Sequence, residues 1–511
     1  VASPLFARKP LALLLEEAGR EGRLRRVLGP LQLTSLGVGA IIGAGIFVST
    51  GAIARQTAGP ALILSHVVAG AVCVLAALCY AEFAAMVPVA GSAYTYAYAT
   101  LGELAAWIIG WDLVLEYAVS AATVATGWSG YFQNLIGAAG WRLPHAVAGP
   151  VVQYDPAAGT LLLTGSLVNL PALLIVALVT GVLVIGIRES AGLNAALVGV
   201  KVGAVLFVIA VGAFFVDPGN WRPFAPYGYA GLSLFGAVLG PADAGGRPLG
   251  MLAGAALAFF AYIGFDSVST HTEEARRPQR DVPIGIVASL LLCTAFYVGV
   301  CAVLTGMVPY RELDVRAPVA DAFRRVGLPW AQVLIAAAGV AGITSVMLVT
   351  MLSQARVLLA IARDGLLPAS FFADVHQRFR TPWKATLATG AFVSALAAFL
   401  PIDVLLTLVS MGTLLAFLVV CVAVPLMRRT HPDVPRPFRT PFVPLLPILG
   451  ALACLVLMLS LPSENWLRLL VWLVIGLAIY FGYGRRHSHL AREAARAEER
   501  RSPAHAQLAA E

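Results

Sequence analysis

Residues 33–51 read LTSLGVGAIIGAGIFVSTG. The run is apolar enough for a bilayer, yet it sets Gly37, Gly39, Gly43 and Gly45 where one continuous helix is expected. A glycine inside a helix costs about 1 kcal/mol relative to alanine, and Gly43-Ala44-Gly45 concentrates that cost at one point. Close helix packing through small residues is one use of such a run, since Gly39 and Gly43 are spaced as in GxxxG. The other use is a break in the helix. Residues 254–270, GAALAFFAYIGFDSVST, interrupt a second apolar run in the same manner, with Gly264 followed by Asp266.

Composition places both runs in a membrane. Of 511 residues 59% are hydrophobic and 12% charged, and mean hydropathy is +0.83. A soluble protein carries about 25% charged residues, so this chain cannot dress a water-facing surface of ordinary size. A soluble enzyme, a disordered scaffold and a secreted disulfide module are excluded. The six cysteines lie inside apolar runs with no CxxC pair, which argues against a disulfide framework or a zinc site. A span needs about 20 apolar residues. Candidates fall at 31–54, 60–86, 104–134, 168–187, 192–216, 250–270, 284–306, 329–362, 384–400, 403–427, 442–461 and 465–484. The expected fold is therefore all-α and integral to the membrane, with about twelve transmembrane helices. Residues 87–103, rich in Gly, Tyr and Thr, read as a short interfacial or re-entrant stretch.

Charge sets the expected orientation. If the N-terminus is cytoplasmic, 24 of the 35 Lys and Arg residues lie on inside segments and 9 outside, with Lys201 and Arg356 within spans. That bias predicts a multi-pass cell-membrane protein with both termini cytoplasmic. Residues 1–30 mix both charges, unlike a signal peptide, and are expected to be a cytoplasmic segment. A transmembrane domain of 31–484 and a cytoplasmic tail of 485–511 follow. The net charge of +8 reflects this bias and attraction to anionic lipid, and calls for no nucleic-acid partner. The insertions at about 138–166 and 217–249 are expected on the outer face.

The two interruptions fall in the first and sixth spans. Residues 31–216 and 250–427 would then be two halves broken at matching places, with two extra helices in 442–484. That is the pattern of an inverted repeat with its substrate site at discontinuous helices near the midplane. A break exposes N–H groups where a half-helix begins and carbonyls where one ends; the former attract a carboxylate, the latter an ammonium. Gly43, Ala44 and Gly45 offer amides, and Phe260, Ala261 and Ile263 offer carbonyls, so backbone alone would hold an α-amino acid.

Four motifs then become recognisable: GAIIGAGIFVSTG (39–51), AEFAAMVPVAGSAYTYAY (81–98), FFAYIGFDSVSTHTEEARRPQRDVPIGI (259–286) and QARVLLAIARDGLLP (354–368). Together, over about residues 25–485, the chain resembles the cationic amino acid transporter family of the amino acid–polyamine–organocation (APC) superfamily. The resemblance implies a five-plus-five inverted-repeat fold with broken helices 1 and 6, and amino-acid uptake by alternating access. It also implies that carboxylate and amino group sit as argued above. Two features depart from the family: Ala44 stands where Ser or Thr is common, and the 217–249 loop is longer.

An ionisable group inside a span is a functional candidate by default. Lys201 lies mid-span in ESAGLNAALVGVKVGAVLFVIA (189–210), one of three lysines in the chain, and burial tunes such a group for binding and releasing a proton. The resemblance implies that its ammonium stands where related transporters bind sodium, beside the first break; carbonyls near Ile41 are its expected partners. Glu116 would line the cavity and meet a cationic side chain, or pair with a polar neighbour. Thr350 is the expected base of the side-chain pocket. Glu82 reads as an interfacial structural carboxylate, Asp266 as a stabiliser of exposed amides or a gate, Arg356 and Asp364 as structural or gating partners, and His66 as a packed hydrogen-bonder.

A membrane-bound enzyme would need clustered acid, base, nucleophile or metal ligands, and the eight histidines form no such pattern. No Gly-Lys-Ser/Thr phosphate loop exists. No catalytic residue, metal or cofactor is expected. The reading is a secondary transporter importing L-amino acids, cationic and/or small neutral, by proton-coupled alternating access; an amino-acid exchanger and a transporter-like nutrient sensor are the alternatives. Membrane lipids are expected partners. A small single-span helix or a sterol-like lipid is compatible with such a chain and leaves no mark in its sequence.

Overall fold

The computed structural model describes residues 8–9, 28–86, 92–155, 157–186, 191–234, 237–265, 268, 275–430, 432–490 and 492. Seven described helical stretches are long and apolar enough to cross a bilayer, and four apolar helices are shorter. The first stretch contains α1 (Pro30–Ile41), a winding run to residue 58, and α2 (Leu62–Met86). There follow α3 (Ser92–Thr100), α4 (Glu103–Ala138), α5 (Leu170–Ile185), α6 (Ala191–Gly212), α7 (Met251–Ala258), α8 (Pro278–Met307) and α9 (Pro318–Arg325). The chain continues through α10 (Pro329–Arg363), α11 (Trp383–Phe399), α12 (Ile402–Thr430), α13 (Leu445–Leu459) and α14 (Ser463–Ile479). Several helices open on proline in the first turn (Pro30, Pro171, Pro278, Pro318, Pro329), where its missing N–H costs nothing.

Lipid tails are as apolar as leucine, so helices associate here through close packing rather than through the hydrophobic effect. Small residues supply it. Gly37 of α1 packs on Ser289 of α8 and Gly285 of α8 on Leu33; Gly339 of α10 lies against the ring of Tyr131 on α4. The stretch expected to be interfacial forms α3, whose Tyr94, Tyr96 and Tyr98 are buried; residues 87–91 lie outside the described part.

The two insertions form hairpins. β1 (Val152–Asp155) pairs antiparallel with β2 (Thr160–Leu163), and β3 (Leu232–Leu234) with β4 (Ala237–Leu239). They meet through the Tyr154 hydroxyl, which donates to Asp243 Oδ2 at 2.6 Å. The described ends of the chain converge at the opposite ends of the helices. Lys9 Nζ pairs with Asp364 Oδ1 (2.9 Å), and the His489 N–H donates to the Asp364 carbonyl (3.1 Å). Buried Glu103 accepts from Tyr98, Tyr480 and Ser488. Asp364 thus takes Lys9 and the Tyr94 hydroxyl (2.6 Å) rather than Arg356, whose side chain is exposed. Glu82 is clamped by Arg428 (3.0 and 2.8 Å) and the Thr440 N–H (2.7 Å), a structural bidentate pair.

Candidate functional site

The first break is a change of backbone direction at Ile42, whose φ of −71° and ψ of 106° are extended. The last bond of α1 is Ile42 N–H to the Val38 carbonyl (2.9 Å), and the first beyond the break is Phe47 N–H to Gly43 (3.3 Å). The N–H groups of Gly43, Ala44, Gly45 and Ile46 precede that bond and have no helical acceptor. Residues 45–49 wind as a π-helix, and the hydroxyls of Ser49 and Thr50 donate to the carbonyls of Gly45 and Ile46, a local competition that loosens helical winding.

The second break follows α7. A 3₁₀ turn, Phe259–Tyr262, ends at Ile263 in extended conformation (φ −58°, ψ 137°). Gly264 has φ +113°, and a Cβ there would stand 2.8 Å from the Ala40 carbonyl oxygen. Only glycine suits both demands. Asp266 lies outside the described residues.

The breaks touch. A Cβ on Gly45 would collide with the Cα and Cβ of Ala261, and one on Gly43 would stand 2.6 Å from Val346 Cγ2. A single hydroxyl ties them together: Tyr297 Oη of α8 lies 2.9 Å from both the Ile41 and the Ala261 carbonyls. Each carbonyl lost its partner four residues on when its helix ended. Tyr297 is in turn packed edge-on to the buried His66 ring, 5.7 Å away. His66 Nδ1 lies 3.1 Å from the Leu62 carbonyl, and its own carbonyl accepts from Tyr262 (2.7 Å).

Lys201 of α6 is 1% exposed, and its Nζ donates to the Gly39 carbonyl at 2.7 Å. That carbonyl is two residues before Ile41, and its helical donor would have been Gly43. The lysine chain lies across Gly342 of α10, where a Cβ would stand 3.1 Å from Lys201 Cγ. Lys201 therefore links α6, α1 and α10.

Between the breaks lies a cavity with an empty volume of ≈ 580 Å³. Ile41, Gly43, Ala44, Gly45, Phe260, Ile263 and Thr350 line it. Two expected residues do not. Ala261 is turned onto Gly45. Glu116 is not on the lining, because the cavity-facing stripe of α4 is Tyr117, Ser120 and Val124, and a residue one position earlier is rotated about 100° away. The spacings 117/120/124 and 346/349/350/353 are single helix faces; extending Thr350 by that periodicity finds Val346, Val349 and Ser353. No lining residue carries a charge. Asp112 and Glu116 stand one turn apart on α4 and are buried, with the Asp112 carboxylate against Gly412 of α12. Neither Asp112 oxygen has a hydrogen-bond partner among the described residues.

The sequence profile of the amino acid permease family matches residues 28–479. The chain is 43% identical to the methylthioribose transporter of Bacillus subtilis (strain 168), across 96% of this chain and 99% of that protein. It is 45% identical to the branched-chain amino acid permease BcaP of the same organism, across 95% and 99%. It is 31% identical to cationic amino acid transporter 4 of Homo sapiens, across 93% and 89%.

Proposed function

The chain belongs to the amino acid permease family and is an integral, multi-pass amino acid transporter rather than an enzyme; from that premise we propose that it imports neutral L-amino acids with apolar side chains, driven by protons. One observation carries the reading: an uncharged cavity between two helix breaks, with open amides on one wall and carbonyls on the other. The amides of Gly43, Ala44 and Gly45 receive the carboxylate. The ammonium meets the carbonyls of Ile41, Phe260, Ala261 and Ile263. The Tyr297 hydroxyl has one proton to share between the Ile41 and Ala261 oxygens, and each carbonyl keeps a lone pair for the ammonium. Val124, Val346 and Val349 offer an aliphatic wall, with Thr350 at its edge.

Twelve membrane helices in a five-plus-five inverted repeat accord with this reading, with the hairpin face outside and both termini cytoplasmic. The excess of Lys and Arg on the terminal face supports that orientation. Lys201 is the proton carrier, and Glu116 acts from behind the pocket rather than as a direct ligand.

A second reading has one observation in its favour. Asp112 and Glu116 form a buried acidic pair one turn apart on the helix whose Tyr117, Ser120 and Val124 line the cavity, and such a pair would favour a cationic side chain. Uptake of labelled L-leucine and L-arginine into proteoliposomes separates the two. Leucine should accumulate, with arginine transported at least about tenfold less well, a difference of about 1.4 kcal/mol. Arginine accumulation that exceeds leucine and is lost in Glu116→Gln would transfer the assignment to the second reading.

Tyr297→Phe tests the bridge between the breaks. Removing the one hydroxyl proton that the two buried carbonyls share costs about 1–3 kcal/mol, so leucine affinity should fall about 5- to 150-fold in a folded protein. Unchanged affinity would reduce Tyr297 to a packing residue.

A further inference from the structure

Three aliphatic hydroxyls line the central cavity, Ser120 on α4 and Thr350 and Ser353 on α10. A hydroxyl inside a helix readily turns onto its own backbone and donates to the carbonyl four residues earlier. Thr350 does so, to the Val346 carbonyl at 2.8 Å. So do Thr123 of α4, to Val119 at 2.8 Å, and Thr344 of α10, to Val340 at 2.7 Å. Ser120 and Ser353 do not. Neither of their hydroxyls makes a hydrogen bond among the described residues, although Ser120 is only 3% exposed.

The two serines sit at one height. α4 and α10 run antiparallel, with Gly110 against Ile361 at one end and Gly339 against Tyr131 at the other, and Trp128 donates to Thr344 at 2.9 Å. Counting inward from these contacts brings Ser120 within one helical turn of Ser353. Both stand away from the first break. Val346, whose Cγ2 faces Gly43, lies seven residues before Ser353, about 10 Å along the helix. The valine wall of the cavity thus ends in two hydroxyls.

A hydroxyl withdrawn from water is costly until a partner restores its hydrogen bonds. Each serine offers one donor and two acceptor lone pairs. Two such groups at one height match a carboxamide, whose oxygen accepts and whose NH₂ donates. The lining carries no charge, so it compensates neither a carboxylate nor an ammonium at the end of a side chain. A branched aliphatic side chain suits the valines and leaves both hydroxyls unspent. An extended glutamine spans about 6 Å from its carboxylate carbon to its side-chain amide. A hydrogen bond at each end adds about 3 Å, enough to join the amides of residues 43–45 to the serines.

We propose that Ser120 and Ser353 determine specificity by binding the terminal amide of glutamine, and that glutamine is a substrate alongside the aliphatic amino acids. The assignment rests on the amino-acid reading of the central cavity and extends it to a second class of side chain. The polar end of the pocket is then this pair rather than Thr350, whose proton is committed to Val346.

Proteoliposome uptake of labelled L-glutamine and L-leucine, with kcat/KM measured for each, tests the assignment through their ratio. Wild type should transport both. Ser120→Ala and Ser353→Ala should each lower the glutamine-to-leucine ratio at least about tenfold, and the double variant at least about 30-fold, about 2 kcal/mol. A structural role for the hydroxyls would depress both substrates together, and an unchanged ratio in the double variant would overturn the assignment. Wild type alone gives a second reading. Glutamine should compete for leucine uptake at least about tenfold better than 2-amino-5-methylhexanoate, the same shape without the amide, and equal or weaker competition would also overturn it. Leucine uptake without glutamine uptake would overturn the serine assignment and leave the apolar reading standing. Uptake of neither would overturn both.

Discussion

Gly45→Ala should lower leucine uptake by at least about 100-fold, about 2.7 kcal/mol of lost binding or transport free energy, in a protein that still elutes as a monodisperse species. The added methyl collides with the Cα and Cβ of Ala261. A backbone atom cannot swing aside as a side-chain terminus can, so the two breaks must part. Overpacking of this kind costs about 1–3 kcal/mol, and here the displacement acts on the geometry that recognises substrate. The amides of residues 43–45 move away from the carbonyls of Ile41 and Phe260, and Tyr297 can no longer reach both of its acceptors. Gly43→Ala is the graded control. Its methyl meets only the Val346 side chain, which can rotate, and the loss should be about tenfold, about 1.4 kcal/mol. Near-wild-type uptake by a folded Gly45→Ala protein would remove the breaks from the binding site.

The membrane helices were legible because a bilayer imposes one demand on every span, a run of apolar residues of fixed length. The breaks were legible because glycine inside such a run needs a reason, and Gly43-Ala44-Gly45 and Gly264 stand in the two runs where the backbone departs from the helix. The rotational phase of the helices was not legible. α4 is buried on nearly all sides, so no polar stripe marks which residues face the cavity, and Glu116 could not be told from Tyr117. Contacts made across the sequence were equally hidden. Tyr297 reaches Ile41 from more than two hundred residues away, and nothing in the local sequence of α8 announces it. Asp364 and Arg356 share a helix and opposite charges, yet Asp364 pairs with Lys9 from the far end of the chain. Asp243 and Arg247 at the hairpin face lie in an insertion whose course follows from its packing on Tyr154 of the other insertion, and from no periodic pattern.

Lys201→Ala should abolish proton-driven accumulation while leucine binding changes by no more than about threefold, about 0.7 kcal/mol. The argument starts from the break. Because α1 ends at Ile41, the Gly39 carbonyl has no amide partner, and Lys201 Nζ takes it at 2.7 Å. The ammonium makes this bond strongly, since a charged donor roughly doubles a hydrogen bond; the neutral amine makes it weakly. Protonation therefore ties α6 to the broken helix beside the site, and proton loss releases it. The driving force is adequate, because a tenfold proton gradient supplies about 1.4 kcal/mol and the membrane potential about 2.3 kcal/mol per charge per 100 mV. Alanine removes the tie and the titrating group together, so substrate equilibrates across the membrane without being concentrated. Lys201→Arg separates the two roles: guanidinium keeps a donor but does not give up its proton, so binding should survive while net transport stalls. Proteoliposomes with an imposed proton gradient, with and without an uncoupler, read all three proteins in one assay. Undiminished accumulation by Lys201→Ala, or wild-type uptake that requires sodium and ignores the uncoupler, would defeat the mechanism.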